Sequence, residues 1–229
     1  CVQNKDAIIT IVGYPKDVEE VYLSQDGIIN SASQNSYLID MTTTTPTLSV
    51  KIHEEAKKKN LKALDAPVSG GDIGAKNATL SIMVGGEKED FEACKKLFEA
   101  MGKTIVYAGN AGSGQHTKMA NQIAIAGVMA GVSEAIAYGK KMGLDIPTML
   151  ASISNGAAQS FHLTNNAPKM YKREFEPGFY IKHMVKDLKI ANQEMPNLKV
   201  LKDVLEIYET LEKNGDGDLG TQAICKYYE

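Results

Sequence analysis

The chain has 229 residues, of which 43% are hydrophobic and 23% charged, and its formal net charge is −3. This is ordinary globular composition without an excess of positive charge, so we expect no nucleic-acid partner. Its 3 scattered cysteines favour neither a disulfide framework nor a CxxC metal knuckle, and a reducing, cytoplasmic location fits best. We find no apolar run near the length of a membrane span and no signal segment, so we expect no membrane partner.

The first half of the chain alternates short apolar runs with amphipathic stretches, which indicates an α/β fold. Strands are predicted over Ala7 to Val12, Tyr37 to Met41, Leu61 to Ala66, the run TLSIMV, and Thr104 to Tyr107. Helices are predicted over Pro15 to Leu23, from Pro46 onwards after the hydroxyl caps of Thr42 to Thr45, and over Glu87 to Met101. The stretch PVSGGDIGAKNA is predicted to be a loop. Residues 1–109 therefore form one predicted α/β domain.

After Gly109 the pattern changes, because no β-branched run appears and the helical period takes over. Thr117 to Met142 is predicted to be a long helix that is apolar on most faces, as suits a central connecting helix. The shorter helices predicted to follow are Ile146 to Ser154, Thr164 to Lys172, Ile181 to Gln193, Lys199 to Lys213 and Leu219 to Tyr228. Residues 110–229 are thus expected to form an all-helical domain that begins with the long helix.

Several motifs that suggest ligand sites fail on inspection. Gly109 and Gly114 have P-loop spacing, but Gln115 stands where a lysine has to contact the phosphates. The stretch NGDGDLG imitates the start of a calcium loop without the glycine and glutamate that such a loop requires. The histidines have no metal-ligand spacing, so no metal site is expected. The sequence also contains no GxGxxG turn of the kind that binds a dinucleotide pyrophosphate.

The first segment suited to chemistry is the motif DAPVSGG, from Asp65 to Gly71, directly after a predicted strand. Consecutive glycines let backbone N–H groups turn toward an anion, and Ser69 adds a hydroxyl donor. Such a loop can hold a small carboxylate. Taken alone, it is equally well interpreted as a plain glycine-rich turn.

The second segment is GSGQHTKMANQ, from Gly112 to Gln122. Helical spacing places Lys118 on the same side as Asn121 and Gln122. Burial and the positive end of the helix dipole would both lower the pKa of Lys118 toward the range of an acid/base catalyst. The alternative is a surface lysine whose ammonium group reaches water, and the neighbouring amides disfavour it.

A third segment, FYIKHMVKDL, places Lys182 and Lys186 on one face of a predicted helix. A basic pair at this spacing is most typical of a solvated surface. The segment indicates no function by itself.

Together, the motifs DAPVSGG, KxxNQ and KDL in this order resemble the β-hydroxyacid dehydrogenase family, which includes 3-hydroxyisobutyrate dehydrogenase and tartronate semialdehyde reductase. The resemblance extends from DAIITIVG to GDLGTQA. It implies a Rossmann-type sheet joined by a long helix to an all-helical domain. It also implies an NAD- or NADP-dependent oxidoreductase that exchanges a hydride with a small, carboxylate-bearing β-hydroxy acid or semialdehyde. The Ala-, Met- and Gly-rich helical half suits the interface of a homodimer or homotetramer.

The same resemblance implies roles for individual residues. Lys118 would be the catalytic acid/base that exchanges a proton with the β-hydroxyl group. The residues expected to bind the substrate are Ser69, Gly70, Gly71, Asn121 and Lys186. The residues expected to contact the cofactor are Val12, Gly13, Tyr14, Thr42 and Lys186. The family usually has Leu-Pro where this chain has Val12-Gly13, so the sequence departs from the family pattern there.

The family's first strand, its GxGxxG turn and the residue that selects NAD or NADP have no counterpart in this sequence. We therefore expect a partial Rossmann-type sheet in a chain that begins inside a longer protein. One alternative is a fragment deficient in cofactor binding, whose helical half serves for dimerisation. Another is an enzyme similar to 6-phosphogluconate dehydrogenase. This alternative is disfavoured, because the sequence has no cluster of Arg and His suited to a phosphorylated sugar.

Overall fold

The computed structural model describes all residues from Cys1 to Glu229. They form two compact units, Cys1–Met119 and Ala120–Glu229. The predicted fold class, α/β followed by all helix, is confirmed. Strands give way to helices after Gly109, where β6 ends. The two compact units meet further on, inside the long helix, because the head of that helix packs closely on the sheet at Gly114.

Unit 1, Cys1–Met119, is built on a six-stranded sheet. Its strands are β1 (Ala7–Thr10), β2 (Tyr37–Asp40), β3 (Lys62–Asp65), β4 (Val68–Ser69), β5 (Leu80–Gly85) and β6 (Gly102–Gly109). Strands β1, β2 and β3 are parallel neighbours. Strand β5 runs antiparallel to β3 and β4 and parallel to β6. The carboxyl ends of β1, β2 and β3 therefore lie at one edge of the sheet.

The sheet of unit 1 has a core on each face. Its helices are α1 (Pro15–Leu23), α2 (Ile28–Ser31), α3 (Pro46–Lys58), α4 (Gly71–Lys76), α5 (Lys88–Glu99) and the head of α6 (Ser113–Lys141). Leu38 packs in one cluster with Val18 and Ile52, whereas its neighbour Ile39 packs in another with Phe98, because successive strand residues face opposite sides. The prediction of a loop over PVSGGDIGAKNA was wrong: it contains β4 and α4, which are too short to show periodicity.

Unit 2, Ala120–Glu229, is all helical. Besides the rest of α6 it contains α7 (Ile146–Ile153), α8 (Phe161–Asn165), α9 (Ala167–Lys172), α10 (Ile181–Glu194), α11 (Lys199–Leu211), a wide turn (Glu212–Asp216) and a 3-10 helix (Thr221–Tyr228). The helix predicted over Thr164 to Lys172 is divided between α8 and α9, because Pro168 starts a new helix there. Leu188 and Tyr208 are fully buried in this unit, and the hydroxyl of Tyr208 donates to the carbonyl oxygen of Thr221 at 3.1 Å.

Helix α6 corrects one expectation. It has 29 residues and contains an 18-residue window of mean hydropathy 1.3, which is enough by length and composition alone to cross a membrane. The statement that no apolar run approaches a membrane span was therefore wrong for this helix. Of that window, 44% is buried inside the structure, and the core helix of a water-soluble protein meets the same criterion. The composition of α6 thus gives only weak support for a membrane span.

Two glycines of α6 are expected to respond in opposite ways to alanine. A Cβ at Gly114 would lie 2.4 Å from the carbonyl oxygen of Met83, so Gly114→Ala should lower the free energy of unfolding by about 1–3 kcal/mol. A Cβ at Gly131 meets no atom within 4 Å, so Gly131→Ala should raise that free energy by about 1 kcal/mol, since alanine favours the helix. Urea denaturation measures both values. Equal effects at the two positions would contradict the close packing of Gly114.

Candidate active site

The loops after β1 and β2 lie at the carboxyl edge of the parallel strands, where α/β sheets bind ligands. Thr42 is 2% exposed, and its Oγ1 accepts a hydrogen bond from the N–H of Val12 at 2.9 Å. Its own N–H donates to Oδ1 of Asp40 at 3.1 Å. The structure thus brings Val12 and Thr42 together, both of which were predicted to contact the cofactor. Gly13 and Tyr14 follow Val12 and lead into α1.

Asp65, at the end of β3, holds the chain that opens α6. Its Oδ1 accepts the N–H of Gly112 at 2.8 Å, and its Oδ2 accepts the N–H of Gln115 at 2.9 Å. The first N–H groups of a helix have no partner within the helix, so a carboxylate there satisfies them and meets the positive end of the dipole. Burial raises the pKa of Asp65, and the hydrogen bonds from these N–H groups oppose that rise.

Gln115 joins the head of α6 to the loop after β2. It is fully buried; its Nε2 donates to the carbonyl oxygen of Thr42 at 2.8 Å, and its Oε1 accepts the N–H of Thr44 at 3.1 Å. One amide side chain therefore satisfies both a donor and an acceptor of the loop backbone.

Sequence reasoning missed the roles of Asp65 and Gln115. Asp65 entered only as part of the DAPVSGG motif, and Gln115 only as the residue that breaks a P-loop. A usable signal was present for Asp65, because it is a charged residue within the predicted strand Leu61 to Ala66, and buried polar groups need partners. Gln115 lies before the predicted helix Thr117 to Met142, and its position gave no such signal.

Lys118 lies in the second turn of α6 and is 6% exposed. Lysines are seldom buried to this extent, because removing the charged group from water is unfavourable. A surface lysine with its ammonium group in water is therefore the weaker interpretation. The burial of Lys118 suits a residue that acts on a bound molecule.

The SGG loop, Ser69 to Gly71, leads from β4 into α4. Gly70 has a φ of 127° and Gly71 a φ of 62°, which residues with side chains rarely adopt. Ser69 is partly buried, and both glycines are exposed. The charge of the adjacent Asp72 would repel an anion at this loop, but Nζ of Lys76 lies 3.1 Å from Oδ2 of Asp72 and offsets part of that charge. The loop therefore remains suited to an anion.

In unit 2, a polar network connects Asn121 and Lys186, two residues predicted to bind the substrate. Nδ2 of Asn121 donates to Oε1 of Gln122 at 2.8 Å, and Nε2 of Gln122 donates to Oδ2 of Asp187 at 2.7 Å. Nζ of Lys186 lies 3.1 Å from Oδ1 of Asp187 and forms an ion pair with it. Asp187 is 1% exposed, and Lys186 balances its negative charge inside the protein. Gln122 and Asp187 were not predicted as site residues.

Asp40 is a second buried carboxylate at the strand ends, in register with Asp65. Burial raises the pKa of Asp40 to about 6; hydrogen bonds from Thr42 and Thr10 oppose the rise, and the charge of Asp65 adds to it. Thr10 also shares a hydrogen bond of 2.6 Å with the hydroxyl of Tyr22. The N–H of Thr42 connects these polar side chains to the loop after β2 through Oδ1 of Asp40.

Two family models match the chain. Residues 1–109 match the NAD binding domain of 6-phosphogluconate dehydrogenase. Residues 112–228 match the model described as NAD-binding of NADP-dependent 3-hydroxyisobutyrate dehydrogenase. The two matches cover the sheet and the helical part respectively.

Individual relatives agree with these matches. The uncharacterized oxidoreductase YkwC of Bacillus subtilis is 56% identical over 97% of this chain and 79% of its own length. The 2-hydroxy-3-oxopropionate reductase of Escherichia coli is 36% identical over 98% of this chain and 78% of its own length. The structure of Mycobacterium tuberculosis 3-hydroxyisobutyrate dehydrogenase with L-serine superposes with a TM-score of 0.90 at 27% identity, covering 98% of this chain and 80% of that one.

Asp40→Asn is expected to change how stability depends on pH. The pKa of Asp40 in the folded protein, about 6, lies above its ordinary value of 3.8, so the folded state binds this proton more tightly than the unfolded state. The wild type should therefore lose on the order of 2 kcal/mol of stability from this group as the pH rises from about 4 to about 7, and asparagine removes that loss. Urea denaturation across this range tests it. A constant difference between variant and wild type would contradict the prediction.

Proposed function

The chain belongs to the β-hydroxyacid dehydrogenase family, and we propose that it oxidises a small β-hydroxy acid, or reduces the matching semialdehyde, with Lys118 as the acid/base. The observation that carries this proposal is the burial of Lys118, at 6% exposure, near the head of a helix that Asp65 holds in place. A buried amine at a fixed position is what proton exchange with a bound hydroxyl group requires.

In this proposal the nicotinamide side of the dinucleotide binds at the carboxyl ends of the parallel strands of unit 1, where α/β sheets bind ligands. The ends of β1, β2 and β3 meet at one edge, and the hydrogen bond between Val12 and Thr42 ties two of the loops at that edge together. The cofactor is NAD or NADP. When bound, the nicotinamide takes up a hydride during oxidation and supplies one during reduction.

In the oxidation, neutral Lys118 takes the proton of the β-hydroxyl oxygen while the adjacent carbon loses its hydride, and a carbonyl group results. In the reduction, the ammonium form of Lys118 returns the proton to the same oxygen. Ser69, Gly70 and Gly71 hold the substrate carboxylate in this proposal. Asn121 and Lys186 supply further polar contacts with the substrate, and the bonds among Gln122, Asp187 and these two residues fix their orientation.

An enzyme similar to 6-phosphogluconate dehydrogenase is the less favoured candidate, although the model that matches residues 1–109 bears that name. The helical part, residues 112–228, matches 3-hydroxyisobutyrate dehydrogenase instead. We also propose a homodimer or homotetramer, because apolar side chains are exposed along α6. They are those of Val128 and Tyr138, and that of Met142, the residue after the helix ends. A non-catalytic dimerisation module remains the alternative that the next experiment tests.

Lys118→Ala should lower kcat by about 10²- to 10⁴-fold, which is the usual contribution of a general acid/base. Cofactor affinity should stay close to that of the wild type, because the lysine acts on proton transfer. Steady-state kinetics and cofactor fluorescence titration measure the two quantities, with the exposed Lys141→Ala on the same helix as the control. Unchanged kcat in Lys118→Ala would refute the role, and a wild type that binds no cofactor would support the non-catalytic alternative.

Ser69→Ala should raise KM more than it lowers kcat, because the hydroxyl is assigned to carboxylate binding. The matched control is Ser81→Ala, since Ser81 is the residue of β5 in register with Ser69. A rise in KM of the same size in both variants would point to damage of the strand pairing rather than loss of a substrate contact.

A further inference from the structure

A small cavity of about 10 Å³ lies inside unit 1, and residues of α1, β2, α3 and β3 line it. Much of its lining is apolar, including Leu38, Ile52 and Ala63. Asp40 and Ser49 line it as well, and they are 4% and 6% exposed. A cavity of this size has room for about one water molecule.

Two buried polar atoms of this lining have no protein partner. They are Oδ2 of Asp40 and Oγ of Ser49. The other carboxylate oxygen of Asp40 is engaged, because Oδ1 accepts hydrogen bonds from Oγ1 of Thr10 and from the N–H of Thr42, each at 3.1 Å. Buried polar atoms in native proteins are nearly always hydrogen-bonded to protein or to ordered water.

We propose that Asp40 and Ser49 together bind one ordered water molecule. The water donates one hydrogen to Oδ2 of Asp40 and accepts a hydrogen bond from the hydroxyl of Ser49, so both atoms are satisfied. No larger ligand fits the volume, and a single water needs only a few polar partners.

This water would connect the two ends of the loop that carries Thr42. Asp40 is the last residue of β2, and Ser49 lies in the first turn of α3, so the bridge joins the two ends of the intervening loop. Gln115 of α6 holds the same loop through hydrogen bonds with the backbone of Thr42 and Thr44. The water would therefore hold the two ends of the loop, and Gln115 holds the backbone between them.

A crystal structure of the protein, at a resolution that defines ordered waters, tests the site directly. We expect a water within about 2.6–3.2 Å of both Oδ2 of Asp40 and Oγ of Ser49. Well-ordered side chains without such a water would overturn the proposal. A Ser49 hydroxyl that donates instead to the carbonyl oxygen of Thr45, four residues earlier, would do the same.

Amide hydrogen exchange, followed by NMR, tests the effect on the loop. Ser49→Ala should speed the exchange of the Thr42 and Val12 amides by about tenfold or more, because the loop opens more easily without the bridge. The control is Ser133→Ala, which removes another buried hydroxyl without a protein partner, 1% exposed and in α6. Equal exchange in the wild type and Ser49→Ala would count against the bridge. Neither measurement uses turnover, so both outcomes are independent of the proposed function.

Discussion

The buried carboxylate of Asp65 is the constraint on which the rest of unit 1 depends. It ends β3 and accepts the N–H groups of Gly112 and Gln115, so the head of α6 is held against the sheet. This close approach leaves no room for a side chain at Gly114. Gln115 then reaches the loop after β2, and Lys118 follows one turn later on the same helix. A single capping interaction thus sets the positions of the loop after β2 and of the proposed acid/base.

Helix α6 combines an apolar composition with a few buried polar side chains. Gln115 and Gln122 are two of them, and each bonds to a residue outside the helix. Gln115 bonds to the loop backbone in unit 1, and Gln122 bonds to Asp187 in unit 2. Buried polar groups are unfavourable unless they are satisfied, so these bonds specify one arrangement of the side chains around them. The same logic applies to Asp40, whose raised pKa reflects burial that its hydrogen bonds only partly offset.

Local periodicity predicted much of the fold, because long strands and helices repeat their pattern over many residues. The change of pattern after Gly109 correctly predicted that an α/β part is followed by an all-helical part. Short elements such as α4 carry too few residues for a period, so their existence was missed. The role of Asp65 could not be predicted for a different reason, since its partners lie 47 and 50 residues away. The roles proposed for Lys118 and the SGG loop come from the resemblance in motifs, which gave no information on what holds these residues.

The turnover of Asp65→Asn tests most directly whether this carboxylate positions Lys118. Asparagine keeps the shape of the side chain but offers one acceptor where two N–H groups now bind, and its amide group would face one of those donors. We expect the variant to fold, as measured by circular dichroism, and we expect kcat to fall by about tenfold or more because the head of α6 shifts. Wild-type values of kcat and KM in a folded Asp65→Asn protein would contradict the claim that this carboxylate positions the site.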